Sequence, residues 1–369
     1  MDRPSINWRY FDFFLLGAVA ILAIFGIAMI RSAIAGNIEL LELNLVGRQI
    51  IFLVGGIIVI FITTAIDYHL WSAISKPMYF GMAALLGVLF IVGAAVFGSA
   101  RWFDTGVILI QPSELAKIVI ILVLADFFTL NQLRIYDIRT IARSLLWTGG
   151  IVIWILLQPN LSTSIVIFVI WFALLWASGV QIKHLIVFAG AIILISLVSY
   201  PFLVDYQQQR ILNFLFPNPD APHGELYNIR QALITIGSGG WFGKGYGLGS
   251  QTQLRFLKVR HTDFIFSAMA EEFGFIGITV VLSLLALVIY RVLRAARLAR
   301  DTFGALICYG VATMIAFQAI VNIGVNLNML PATGLTLPFV SYGGSSLLSL
   351  LLGIGLVESV IVRHKSLEF

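Results

Sequence analysis

The sequence predicts an all-α fold: a polytopic helical bundle in a membrane, with about ten transmembrane spans and both termini cytoplasmic. Three observations carry this. Mean hydropathy is +0.98. Of 369 residues, 60% are hydrophobic and only 11% charged, which is the composition of an integral membrane protein. Apolar runs of roughly 20 residues, enough to cross about 30 Å of hydrocarbon, recur along the chain, and the basic residues alternate between their connecting loops. Residues 1–369 are read as a single domain.

The first run, residues 12–30, follows Arg3 and Arg9. It is too long for a signal-peptide core and has no clear cleavage site, so it is read as a retained span. Runs at 46–66, 78–97 and 113–130 follow, the last opening on Pro112, Ser113 and Glu114 in the manner of a helix start. The runs at 144–158 and 161–178 are separated only by Gln158-Pro159-Asn160-Leu161-Ser162. The first of them is short, so a re-entrant hairpin stands as an alternative to two crossings. A run at 185–203 precedes a long polar segment at 204–262, and runs at 264–293, 304–329 and 337–362 close the chain. The run from Phe264 exceeds what a bilayer needs, so its first two turns are expected to project outward as a helix extension.

Orientation follows from the short loops. With the N-terminus inside, thirteen Lys and Arg (residues 3, 9, 76, 134, 139, 143, 183, 291, 294, 297, 300, 363 and 365) face one side, against Arg31, Arg48 and Arg101 on the other. The segment at 204–262 is therefore expected outside. The net charge of +5 (23 minus 18) is a topology signal, not a nucleic-acid footprint. The single cysteine, Cys308, lies inside an apolar run and makes no intrachain disulfide. The five histidines are scattered and give no metal-ligand spacing.

Polar chemistry gathers in the outward-facing segments. In SARWFDTGVILIQPSELAK (Ser99 to Lys117), Glu114 and Lys117 are three apart and share a helix face. They either staple the bundle or line a polar cavity. Arg101 and Trp102 suit an interfacial anchor or an anion contact equally. Gln158 to Ser164 reads as a turn whose hydroxyls cap the next helix. The long segment holds Arg210, a stretch around Pro217, Pro219 and Pro222, and IGSGGWFGKGYGLGSQ (Ile236 to Gln251), a close-packing glycine loop in which Lys244 could meet an anion. This loop has neither a Walker nor a dinucleotide context. The last outer turn, Met329 to Ser346, carries Ser341 and Tyr342 and reads either as a cavity lining or as a packing seam.

Asp263, in RHTDFIF (Arg260 to Phe266), stands where the polar segment runs back into apolar sequence. An ionisable group so placed is a functional hypothesis by default, and a carboxylate there suits acid–base work. Glu271 and Glu272 lie about 12 Å further along a helix and are read as packing partners for a basic or hydroxyl group.

The strings RHTDFIFSAMAEEFG, PSELAK, RWFDTG, QPNLS, GSGGWFGKG and LPFVSYGGSS, in their order over almost the whole chain, resemble the SEDS family (shape, elongation, division and sporulation). These polytopic membrane glycosyltransferases polymerise lipid II into peptidoglycan. The RHTDF string, the GSGG-x-x-GKG loop and the short termini look more like the elongation member, RodA, than the division member, FtsW. The resemblance implies a bacterial cytoplasmic-membrane enzyme acting on the extracytoplasmic side in rod-shape maintenance, by an inverting β-1,4 transfer. It makes Asp263 the catalytic residue. Arg101, Glu114, Lys117, Arg210, Lys244, His261, Thr262 and Ser341 are the substrate-binding residues that go with it. No cofactor is certain, although a divalent cation (Mg or Mn) bridged by Asp263 would serve the leaving diphosphate. The implied partners are a class B penicillin-binding protein, the lipid II substrate, membrane lipid and elongation-complex proteins. One departure stands out: Asn160 occupies a position where the family usually has aspartate, which puts a hydrogen-bonding or structural role ahead of an ionised one. The competing readings are a lipid II flippase and a non-enzymatic scaffold for a transpeptidase. The first should need comparable polar features near the cytoplasmic face, and the second leaves Asp263 unexplained.

Overall fold

The computed structural model describes residues 8–35, 42–97, 101–104, 109–181, 205–216 and 225–364, with scattered residues between 183 and 202. The helices in chain order are α1 (Phe13–Ile34), α2 (Leu45–Ala65), α3 (Tyr68–Phe97), α4 (Pro112–Leu130), α5 (Ile138–Leu157), α6 (Leu161–Ala177), α7 (Asp205–Leu215), α8 (Glu225–Gly239), α9 (Ser250–Gln253), α10 (Ile265–Leu298), α11 (Thr302–Asn326) and α12 (Gly344–Ile361). Seven of them, α1, α2, α3, α5, α10, α11 and α12, are long and apolar enough to cross a membrane. Helix α4 carries Glu114, Lys117 and Asp126 in its apolar run, and α6 is apolar but 17 residues long. These nine match nine of the ten expected spans, and the run at 185–203 lies largely outside the described residues.

Local chemistry sets the helix starts. Asp12, Asp137, Asn160 and Asp301 each accept a backbone N–H of the first turn that has no partner within the helix. The Asp137 cap starts α5 at Ile138, earlier than the apolar run suggests, because the first turn carries Arg139 and Thr140. Its 20 residues rise about 30 Å, so α5 is long and apolar enough for a full crossing, longer than the short arm that a re-entrant hairpin would need.

Helices α11 and α12 are the most buried of the seven, and α4 is buried along nearly its whole length. Helix α12 approaches α2 closely at Gly56 and Gly355, where an added Cβ would run into Leu351 and Thr63. At one end of the bundle Arg291 pairs with Asp12 at 3.2 Å, Ser359 Oγ donates to Ile66 O at 2.7 Å, and the Tyr68 hydroxyl donates to Asp301 at 2.6 Å. This end gathers the starts of α1, α3 and α11 with the basic ends of α10 and α12. Asp263, ahead of α10, stands at the other.

The polar segment is more helical than its composition suggests. Helix α8 presents Leu226, Ile229, Ala232 and Thr235 as a buried stripe at helical spacing. A short antiparallel pair, Phe103–Asp104 with Leu109–Ile110, precedes α4. Pro217, Pro219 and Pro222 lie outside the described residues.

Helix α10 is broken at Gly274, whose φ of 65° and ψ of −166° are open essentially to glycine alone. In an unbroken helix the carbonyls of Glu271 and Glu272 would accept from Phe275 and Ile276. Here the glycine-rich loop is spliced into the break. Lys244 N and Gly245 N donate to Glu271 O and Glu272 O at 2.9 Å each, while Phe275 N and Ile276 N donate to Gly240 O and Trp241 O at 2.9 and 3.1 Å. The Glu271 carboxylate fixes the rest of the loop, accepting from Lys244 Nζ (2.8 Å), Gln251 N (2.9 Å) and Thr252 N (3.0 Å). Glu272 accepts from Ser32 Oγ. The first two turns of α10, Ile265 to Glu272, are consequently buried in the bundle. The expected outward extension is thus corrected: once the helix is broken, the extra length folds back into the protein.

Candidate active site

A cavity of about 580 Å³ lies at the end of the bundle away from the basic loops, with Asp263 in its wall. The backbone leading to that residue is held at three successive carbonyls. His261 O accepts from Tyr342 N at 2.9 Å and Thr262 O from Ser341 Oγ at 2.7 Å. Asp263 O accepts from Asn322 Nδ2 at 3.0 Å and Asn326 Nδ2 at 2.9 Å. Asn326 Oδ1 in turn accepts from Ser267 Oγ at 2.6 Å, locking the first turn of α10 to α11. Across the cavity the carboxylate faces the turn at Gly334, where a Cβ would lie 3.9 Å from Asp263 Oδ2.

Of the residues expected to bind substrate, Arg101, Glu114, Arg210, His261 and Thr262 line the same cavity. Arg101 donates from Nε to Gln158 O at 2.8 Å and from Nη2 to Pro159 O at 2.7 Å, bracing the polar break between α5 and α6. Burial, with the Arg260 charge beside it, holds the His261 imidazole below its usual range, so it is neutral at pH 7.

Three expected binders stand off the wall. Lys117 is fully buried behind Glu114, its ammonium 2.7 Å from the carboxylate, so it acts on the cavity only through Glu114. Lys244 is turned to Glu271 at 2.8 Å and belongs to the loop spliced into α10, which corrects the expectation that it meets an anion. Ser341 has its hydroxyl on the backbone, donating to Thr262 O and accepting from Leu337 N at 2.9 Å, which ties the final outer turn to the residue before Asp263. Asn160 lines the cavity and caps α6 through Thr163 N at 3.3 Å, a role that needs an acceptor and no charge.

Wall residues that sequence reasoning did not single out include Arg48 and Gln318, and Tyr342 entered it only within a turn read as cavity lining or packing seam. Arg48 sits on α2, and Tyr342 has its phenol pushed up by burial against the opposing effect of the Arg48 guanidinium, so it remains a hydrogen-bond donor at neutral pH. A signal for Arg48 existed: it is one of three basic residues in the short loops of the basic-poor side, and two of those three line the cavity. With Arg48, Arg101 and Arg210 facing Asp263 and a Glu114 already paired to Lys117, the wall is net positive and suits an anionic ligand. Among the described residues, no three His, Cys, Asp or Glu gather to hold a metal.

Residues 13–366 match the family model of FtsW, RodA and SpoVE, described as a cell cycle protein. The chain belongs to the FtsW/RodA/SpoVE family. This member is 34% identical over 369 residues to a probable peptidoglycan glycosyltransferase FtsW of Coxiella burnetii, covering 96% of this chain and 97% of the relative. It is 37% identical over 319 residues to stage V sporulation protein E of Bacillus subtilis, covering 85% and 86%. Among solved structures it superposes with TM-score 0.82, at 31% identity over 96% and 98% of the chains, on a chain of a peptidoglycan synthase complex described as coordinating polymerization and crosslinking. The rod shape determining protein RodA of Thermus thermophilus gives 0.69 at 30% identity over 99% of each chain. These similar proteins carry division, sporulation and elongation names alike, so the likeness fixes the FtsW/RodA/SpoVE family and not the branch.

Proposed function

We propose that this chain is a peptidoglycan glycosyltransferase that polymerises lipid II. The observation that carries the reading is an aspartate whose backbone is clamped at three successive carbonyls, in the wall of a cavity lined by three arginines. Lipid II is an α-linked disaccharide on an undecaprenyl diphosphate. Forming a β-1,4 bond inverts the anomeric centre in one displacement, which needs one base and a stabilised leaving group. Asp263 takes the proton of the attacking sugar hydroxyl, a contribution of roughly 10²- to 10⁴-fold. Arg48, Arg101 and Arg210 supply the positive field for the departing diphosphate, and the protonated Tyr342 phenol adds a donor. If a divalent cation takes part, Asp263 is the wall residue that would hold it. Bound there, it would neutralise charge on the diphosphate.

By the positive-inside rule the cavity faces the extracytoplasmic side. A class B penicillin-binding protein is the proposed partner, supported by the likeness to a chain of a peptidoglycan synthase complex. A role in elongation, with elongation-complex proteins around it, is supported by the RHTDF string and the GSGG-x-x-GKG loop. Depletion in the source cell should then give rounded cells, whereas filaments would assign the chain to division. The reaction itself is tested in proteoliposomes given lipid II on the cavity side only. Glycan polymer formed without transfer of lipid II across the bilayer is expected; transfer without polymer would replace this reading with transport.

A further inference from the structure

Helix α11 carries three polar side chains one turn apart on the face that meets Asp263: Gln318, Asn322 and Asn326. The two asparagines are accounted for, since both donate to Asp263 O and Asn322 also donates to Leu335 O at 2.8 Å. Gln318 is not. It is 1% exposed and lines the cavity, and its Oε1 is buried with no hydrogen-bond partner among the described residues. It lies one helical turn, about 6 Å, farther from the outer end of α11 than Asn322, and so beneath the loop that presents Asp263. A buried amide left without a partner is destabilising, and a packed apolar side chain at the same place would carry no such penalty.

We propose that Gln318 is a substrate-positioning residue that takes a neutral polar group of a sugar, a hydroxyl or an acetamido group, on the deep side of the cavity. The inference rests on the polymerase reading above. The chemistry of the wall separates the two halves of the substrate. The guanidinium groups of Arg48, Arg101 and Arg210 suit the diphosphate, and at the deep position the side chain is an uncharged amide, which both donates and accepts. An amide offers phosphate little beside three guanidiniums, but it matches a neutral hydroxyl or amide. A contact at this point would hold the sugar beneath the loop that carries Asp263, adding binding common to ground and transition states.

The test uses the full-length protein with its penicillin-binding partner and purified lipid II, comparing wild type, Gln318→Leu and Gln318→Glu. Leucine keeps the volume and removes the orphaned polar atoms. Gln318→Leu is expected to raise KM about three- to tenfold with kcat within about twofold, the signature of lost binding common to ground and transition states. Its apparent Tm without lipid II should equal or exceed that of wild type. Gln318→Glu keeps an acceptor and should hold KM closer to wild type than leucine does. An unchanged KM in Gln318→Leu, or a lowered Tm, would overturn the proposal in favour of no role or a structural one. A KM for Gln318→Glu worse than that of leucine would overturn the sugar assignment, because added negative charge there would be meeting phosphate. Absence of polymer from wild type would be a failure of the polymerase reading, distinct from all of these.

Discussion

Gly274→Ala probes the join on which the placement of Asp263 depends. An added Cβ would lie 2.6 Å from Trp241 O and 2.7 Å from Phe242 C, in a backbone conformation that alanine disfavours. Two responses are open to the chain. If the kink persists, strain of about 1–3 kcal/mol is added to the clash. If α10 straightens, four loop-to-helix backbone hydrogen bonds are lost and two intrahelical ones replace them. At a net value of about 1 kcal/mol each, that is about 2 kcal/mol, before counting the bonds of Glu271 to the loop. Either way a loss of about 2–4 kcal/mol is expected, a fall of about 3–5 °C in apparent Tm for a chain of 369 residues. The half-helix that follows Asp263 would shift with it, and a displacement of about 1 Å at a reacting group costs on the order of 10²-fold in rate. Thermal unfolding in detergent, paired with lipid II polymerisation, reads both effects. Gly237→Ala is the control, because a Cβ there meets nothing within 4 Å. A Gly274→Ala protein with the Tm and activity of the control would refute the reasoning.

Asn326→Leu removes the acceptor for Ser267 and a donor to Asp263 O, so polymerisation should fall at least about tenfold with lipid II binding retained; isothermal binding beside the rate assay separates the two. Lys244→Met leaves the Glu271 carboxylate buried with its ion pair gone; since Lys244 is itself 30% exposed, the loss is about 2 kcal/mol. Its KM should not change, whereas a raised KM with an unaltered Tm would return Lys244 to the binding site. Burial and Arg260 lower the His261 pKa. The unfolded chain therefore takes up this proton near pH 6.5 and the folded chain only at lower pH. The stabilisation is complete above pH 6.5 and is lost as pH falls through the window beneath it. His261→Gln should flatten that slope in a series of melts between pH 7.5 and about 5, and an identical slope in the variant would remove His261 as its source.

The bundle was legible because burial in lipid leaves long apolar runs. Asp263 was legible as an ionisable residue at the edge of an apolar run, and Arg101, Glu114 and Arg210 as candidates whose structural and binding readings stood side by side. What escaped was chemistry that depends on who meets whom. Arg48 entered the sequence reading only as a count toward orientation, and only the packing of α2 against α12 brings it to Tyr342. Lys244 looked like an anion binder because its partner, Glu271, is 27 residues away in sequence. The break at Gly274 was hidden inside an apolar run, where glycine reads equally as a packing residue, so the two buried turns after Asp263 looked like an outward extension. Helix α8 was masked by the polar character of the segment around it, although the spacing of Leu226, Ile229 and Ala232 carried its periodicity.

The central claim is that the clamped Asp263 carboxylate acts on the sugar hydroxyl. Its most direct test is glycan polymerisation from purified lipid II in detergent, with the cognate class B penicillin-binding protein present, comparing wild type with Asp263→Ala at matched folding. A loss of about 10²- to 10⁴-fold with partner binding and apparent Tm retained is predicted. Equal polymer from the two proteins would contradict it.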